Sequence, residues 1–323
     1  MNTLPASVEV VTHPTNLNFK TVVALKGITW DVYFSNNLIK ATSRTVFPAP
    51  DDPSDKAYDN MRYVLQPIVG HIRNLAYFSL GLDVKWGFEG HFANTGYNHS
   101  DMIFPSIHQQ QTNTFGDENV KRAQRIINDI GSSRRKGLKT MLNYWRRAYE
   151  LDELGYNSES FLDHYKVMEC LAELCTDYSA VQKILDRFCP SGHVQSTLKR
   201  KYHCKTTNDE KKLKGHIKFV AKALSSSGRS DKVSRGFFTA MLDCVFIRHN
   251  WNVAHKLIRL NPYDNYDAIG QHSDEFDLVQ IENYYISTIT KLLILLYVKP
   301  GMYKIDNSQG IPIVVPAGSI ITN

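Results

Sequence analysis

The chain has no long apolar run. Its longest, Leu292-Leu293-Ile294-Leu295-Leu296-Tyr297-Val298, spans seven residues, far short of the roughly 20 that a membrane-spanning helix requires. No membrane span is therefore expected. The start, Met1-Asn2-Thr3-Leu4-Pro5-Ala6, lacks a basic region followed by an apolar stretch. A secretory signal is not expected either, and the expected location is the cytoplasm. Cysteine is scarce, with 5 in 323 residues. Cys170, Cys175, Cys189, Cys204 and Cys244 form an odd set with irregular spacing, which excludes a secreted disulfide scaffold. Cys170, Cys175 and Cys244 fall on apolar helical faces and read as small core residues. Cys189, His193, His203 and Cys204 are the one metal-like grouping. Their spacing, Cys-x3-His-x9-His-Cys, fits no established zinc pattern, so no metal and no other cofactor is implied. There are no internal repeats and no coiled-coil heptads. A large charge excess is also missing: Lys and Arg number 38 against 32 Asp and Glu, a net charge of +6, short of a dedicated DNA-binding protein.

What is present fits a folded globular chain of two domains. Hydrophobic residues make up 42% and charged residues 22%, which is ordinary for such a protein, and the length suffices for a sizeable core. Basic residues gather at Lys121-Arg122 with Arg125, at Arg134-Arg135-Lys136 with Lys139, and at Arg146-Arg147. More follow at Lys199-Arg200-Lys201, Lys205, Lys211-Lys212, Lys214 and Lys218. Singly they read as solvated helix faces. Jointly they slightly favour a polyanionic partner.

Two regions and a tail follow from periodicity. Residues ~5–47 read as a small antiparallel meander. Thr21-Val22-Val23-Ala24-Leu25 meets the turn Lys26-Gly27, and Ile28-Thr29-Trp30-Asp31-Val32-Tyr33-Phe34 alternates as a half-buried strand. Asn36-Asn37 marks a second turn before Leu38-Ile39-Lys40-Ala41, and Pro48, Pro50 and Pro53 break the chain. A helix is expected from Ser54 to ~80, kinked or broken at Pro67. Leu82–Phe88 alternates as a strand. Residues ~94–115 read as a loop holding His99, Asp101 and His108. From ~117 the period is helical, with helices at ~117–130, ~134–153, ~158–176, ~179–189, ~208–226, ~231–260 and ~275–298. Phe161, Tyr165, Met168, Ala172 and Cys175 form one buried stripe, and Leu213, Ile217, Val220 and Leu224 another. The last helix is expected to bury Leu278, Ile281, Tyr285, Ile289, Leu292 and Leu296. Two strand-like runs, Met302–Ile305 and Ile311–Val315, either complete the N-terminal sheet or cover the helices. The expected class is α+β, mainly α. Its regions are 1–116 (α+β), 117–299 (helical bundle) and 300–323 (short β-rich tail).

One stretch stands apart chemically. Arg248-His249-Asn250-Trp251-Asn252-Val253-Ala254-His255 continues the apolar helix Phe237–Ile247. Arg248 and His255 are two turns apart on one face, roughly 10 Å along the axis, with Asn252 between them. Burying an Arg is costly without a partner, so this stripe either meets a polar neighbour or forms a site. Arg can fork onto a phosphate with two parallel hydrogen bonds, and His exchanges a proton near neutral pH. Together they suffice to cleave RNA without metal.

The order of these features resembles the HEPN superfamily signature. An Arg (Arg248), a polar residue (His249) and a later His (His255) lie on a long helix, followed by a closing helix. An earlier helix, Phe161–Ala172, looks like those of the Apea-like and MauJ-like branches, and the resemblance covers ~140–298. It implies a HEPN-like bundle acting as a metal-independent RNA endonuclease, in a toxin or phage-defence setting. Arg248 would bind the scissile phosphate and His255 would be general base or acid. His249 would orient the phosphate or act as a second acid, and Asn252 would fix the His255 ring. Lys256 and Arg259 are candidate substrate contacts. Members of the superfamily commonly build the site across a homodimer, and the implied partners are RNA, a second copy, and an antitoxin or defence protein. The alternative is a non-catalytic helical module that binds RNA or a nucleotide, or a MauJ-like accessory protein.

Overall fold

The structure, a computed structural model, describes residues 3–11, 15–36, 38–48, 55–80, 88–92, 98–101, 114–228, 235–250, 275–306 and 313–317. The fold is α+β and mainly helical. It divides into two compact units, Met1–Arg135 and Lys136–Asn323.

Among the described residues of the first unit, six strands form one antiparallel sheet. They are β1 (Thr3–Val11), β2 (Phe19–Leu25), β3 (Ile28–Phe34), β4 (Leu38–Pro48), β5 (Phe88–Phe92) and β6 (Asn98–Asp101), in the order β2-β3-β4-β1-β5-β6. Alternation sets the buried face. Phe19, Thr21 and Val23, then Trp30, Val32 and Phe34, then Ile39, Ala41 and Ser43 all point inward, as a period of two requires. The expected turn at Lys26-Gly27 closes the β2–β3 hairpin, pairing Leu25 with Ile28. Both turn residues take positive φ, 51° and 79°, the twist that a two-residue hairpin turn needs. The β1–β4 register slips between Pro5 and Ser7. At the slip the Ser43 hydroxyl accepts from Ala6 N–H at 2.8 Å and donates to the Thr45 carbonyl at 2.6 Å, so the displaced amide keeps a partner.

Two helices, α1 (Asp55–Leu80) and α2 (Asp117–Gly131), belong to this unit. α1 runs on through Pro67 as one helix and does not break in two. It buries Leu65, Ile68, Ile72, Leu75 and Ala76. α2 buries Ala123, Ile126, Ile127 and Ile130 and packs on α1 and β2. A Cβ added at Gly131 would stand 3.0 Å from the Val23 side chain, so the close approach of α2 to β2 favours glycine there. The loop expected over 94–115 contains a strand, β6, held to β5 by backbone pairing of Phe88 with Asp101 through His91 with Asn98. Asn98-His99-Ser100-Asp101 shows no apolar alternation, and an edge strand needs none, because backbone bonds alone hold it. His99 and Asp101 lie on β6, while His108 lies outside the described residues. Of the strand expected at Leu82–Phe88, only Phe88 is described; it opens β5.

The second unit holds α3 (Leu138–Glu153), α4 (Asn157–Glu173), α5 (Tyr178–Phe188), α6 (Ser196–Lys201), α7 (Thr207–Ser226), α8 (Arg235–Asn250) and α9 (Glu275–Val298). β7 (Tyr303–Asp306) and β8 (Ile313–Pro316) pair antiparallel as a separate two-stranded sheet. They pack on α9 and bury Tyr303, Val314 and Val315. The tail therefore covers the bundle and does not extend the large sheet.

α4 is the axis of the bundle and packs against α3, α7, α8 and α9. Contact on several sides explains why it buries Asp163 and His164 beside the expected Phe161, Tyr165, Met168 and Ala172. α7 starts at a capping box: Thr206 and Asp209 each accept from the other's backbone amide, so two first-turn donors are satisfied. Its stripe Leu213, Ile217, Val220 and Leu224 is fully buried. Two details differ from the helical reading. α6 was not expected, since its six residues are too few to show a period. Tyr285 is 47% exposed, although it sits at stripe spacing. The expected Ile289, Leu292 and Leu296 are buried, together with Ile286, Thr290 and Leu293, so Tyr285 alone departs from the expected stripe there, while the side chains of Leu278 and Ile281 lie outside the described residues. Among the described residues, no helix is long and apolar enough to cross a membrane.

Candidate functional site

α8 brings the first half of the Arg–His stretch to the surface of the second unit. Phe238, Met241, Leu242, Cys244, Val245 and Ile247 are all buried. Ile247 is the last buried apolar residue described on α8, and Arg248 and His249 lie in its final described turn; the rest of the helix expected to ~260 lies outside the described residues. Asn252, His255, Lys256 and Arg259 lie outside the described residues.

Arg248 reaches across to α4. Its guanidinium lies over the Tyr165 ring at 5.2 Å, within range of a cation–π contact. Its Nη2 is 3.8 Å from Glu169 Oε1, too long for a hydrogen bond. Tyr165 and Glu169 are four residues apart on α4 and therefore share a face. Nη1 is 3.5 Å from His249 Nδ1, at the outer edge of bonding distance. The buried Nε has no hydrogen-bond partner among the described residues. The Arg248 side chain is 31% exposed and that of Glu169 39%. A cation is thus fixed by its flat face while its donors are only loosely engaged.

His249 stacks on His216 of α7, with ring centroids 4.8 Å apart and planes 8° from parallel. His216 in turn meets the Phe246 ring edge-on at 5.0 Å. Phe246 stacks on Tyr202 at 4.0 Å, whose hydroxyl donates to Asp243 Oδ1 at 2.6 Å. Lys201 Nζ donates to Asp243 Oδ2 at 2.8 Å. Asp243, Phe246 and His249 repeat every three residues along α8, so one helical face carries this chain of rings. Tyr165 also stacks on Phe219 of α7 at 5.5 Å.

The electrostatics follow the burial. Burial first, then repulsion from His249 and Lys212, lowers the His216 pKa to about 4, so His216 is neutral at pH 7. Burial, aided by the Glu169 and Cys244 charges and opposed by Arg248, raises the Tyr165 phenol; it remains a neutral ring.

A second polar group lies on the α3 and α9 side of α4. Asp163, 2% exposed, is gripped by both ends of the Arg147 fork and by Lys166 Nζ at 2.9 Å. Beside it His164 is completely enclosed, 3.3 Å from the Thr290 hydroxyl and edge-on to Trp145. Burial lowers its pKa to about 3. Each member is satisfied by protein neighbours, so this group reads as architecture.

Much of the basic charge is neutralised within the chain. Lys199 and Lys214 pair with Glu210, Lys201 with Asp243, Arg146 with Glu150, and Arg147 with Asp163. Lys205, Lys211, Lys212 and Lys218 stay exposed. No group of three or more metal-type donors occurs among the described residues. Burial raises the Cys189 and Cys204 thiols, which opposes the thiolate form that zinc binds.

Sequence reasoning missed Glu169 as a neighbour of Arg248 and His216 as a neighbour of His249, and took Tyr165 only as core. A weak signal for His216 existed: it sits beside Leu213 and Ile217 on the edge of an apolar stripe, where a lysine would snorkel away. No family model, curated protein or solved structure matches the chain.

Proposed function

We propose that this chain is a metal-independent RNA endonuclease of the HEPN type, with Arg248 as its phosphate clamp and His255 as the group that handles the 2′-hydroxyl proton. The supporting observation is the state of Arg248: about a third exposed, fixed on the Tyr165 ring, with loosely engaged donors and His249 alongside. Such a guanidinium can take a phosphate without first breaking a tight ion pair.

In this reading His255 removes the 2′-hydroxyl proton and the 2′ oxygen attacks phosphorus. The bond to the 5′ oxygen breaks, and that oxygen takes a proton from a second imidazole, either His249 or the His255 of a second copy. Arg248 stabilises the charge on the non-bridging oxygens. The products are a 2′,3′-cyclic phosphate and a 5′-hydroxyl. A homodimer with facing Arg248–His255 pairs supplies separate acid and base groups, and the setting is a toxin or phage-defence system.

The test is cleavage of end-labelled RNA and the matching DNA by the purified chain in EDTA. RNA alone should be cut, leaving those ends. His255→Ala should lose about 10²–10⁴-fold in rate. Arg248→Ala should lose about 10²–10³-fold, by analogy with removing an oxyanion-hole donor, and Arg248→Lys should recover little, since a point charge does not replace the fork. Cleavage of DNA, full activity in His255→Ala, or activity restored only by Mg²⁺ would overturn the mechanism. RNA binding without cleavage would leave a non-catalytic RNA-binding module.

A further inference from the structure

The reaction above does not use His216, yet His216 holds the outer imidazole in place. Its ring is parallel to His249 at 4.8 Å, and the Phe246 edge supports it from α8. Its Nδ1 is buried and has no hydrogen-bond partner among the described residues, as is true of Arg248 Nε. Two buried, unbonded nitrogens are a cost that a purely packed contact would avoid by using carbon. Two parallel imidazoles this close also disfavour double protonation, because like charges repel at that separation. His249 is the ring of the pair that lies beside Arg248. Lys212, exposed and one helical turn before His216, adds positive charge on the same face.

We infer that Arg248, His249 and His216 form a phosphate-binding site within a single protomer, with His216 as a positioning residue whose ring holds His249 against Arg248. This rests on the reading of Arg248 as a phosphate clamp. It adds that the clamp is a built cluster from α7 and α8, and that it works without His255 or a second copy. The ligand is a phosphate group, from an RNA backbone or a free terminal phosphate. Among the described residues Glu169 is the carboxylate paired with Arg248, and it competes with the phosphate for that guanidinium.

The experiment follows the histidine ring signals of the full chain by NMR. Inorganic phosphate and dimethyl phosphate are titrated separately at matched ionic strength. The first reports terminal phosphates and the second the diester of a backbone. The His216 and His249 signals should move together with one dissociation constant for at least one probe, while exposed His193 stays still. The stronger probe identifies the source. His216→Ala should weaken binding about 10-fold, roughly the loss of one good polar contact. His216→Phe should stay within about 2-fold of wild type, because a flat ring still stacks on His249, an outcome a merely structural loss would not give. His255→Ala should bind normally.

A His216 signal unmoved by either probe overturns the inference, even if His216→Ala fails to fold. So does a folded His216→Ala that binds like wild type, or a His216→Phe as weak as His216→Ala. Phosphate binding as described in a chain that never cuts RNA would remove the ribonuclease reading and leave this site standing. RNA cleavage unaffected in His216→Ala, with unaltered phosphate affinity, would do the reverse.

Discussion

Glu169→Gln separates the fold from the site. The carboxylate stands 3.8 Å from Arg248 Nη2, with both side chains about a third exposed. Two unit charges at that distance attract by about 1 kcal/mol in water and about 4 kcal/mol at an effective dielectric near 20. Exposure, one long contact and the absence of a fork place this pair with surface ion pairs, worth about 0–1 kcal/mol. The glutamine keeps the size and loses the charge. Stability in urea should therefore fall by less than about 1 kcal/mol. The same interaction opposes an incoming phosphate, so removing it should tighten phosphate or RNA binding by up to about 5-fold, the factor that 1 kcal/mol represents. The gain should shrink at high salt, because the charges are exposed. Urea denaturation and phosphate titration on the same preparation measure both. A loss above about 2 kcal/mol would show that Glu169 is architectural. Weaker phosphate binding would show that it aims Arg248 rather than competing for it. Either result refutes the reasoning.

Two further outcomes test the architecture around the site. Asp163→Asn should destabilise by roughly 2–3 kcal/mol, near the lower end for breaking a buried pair, because the stranded Arg147 and Lys166 can reach solvent. Burial pushes the Asp163 carboxyl up, but the hydrogen bonds and charges of Arg147 and Lys166 outweigh it and hold the carboxyl below its usual range. A depressed carboxylate stabilises the fold above its unfolded value of about 3.9 and loses that contribution as pH falls through the folded value. Wild type should therefore lose urea resistance below about pH 4, and Asp163→Asn should lose less there; identical acid profiles would remove Asp163 as the cause. Thr206→Ala breaks the α7 capping box and should cost about 1 kcal/mol, while Thr206→Ser should cost little; equal losses would mean that the hydroxyl is not what matters.

The helices were legible where a period of 3.6 runs over three turns or more. α2, α3, α4, α5, α7 and α9 lie where Ile, Leu, Met and Phe recur, because an apolar stripe can be buried only on one helical face. The Lys26-Gly27 hairpin was legible because few residues accept its positive φ. Six-residue α6 and edge strand β6 were not, since one turn shows no period and backbone pairing leaves no mark on side chains. The exposure of Tyr285 was hidden for a related reason: an aromatic residue at stripe spacing near the edge of an apolar face can be buried or exposed, and the neighbouring elements decide which. The site divides in the same way. That Arg248 and His249 interrupt an apolar helix is written in the chain, and the cost of burying a charge marks them as candidates. That Arg248 lies on Tyr165 beside Glu169, and that His249 stacks on His216, depends on how α4, α7 and α8 pack. Those residues are some 30 to 80 positions apart, and only the tertiary structure decides such contacts, because local periodicity carries no information about which faces meet.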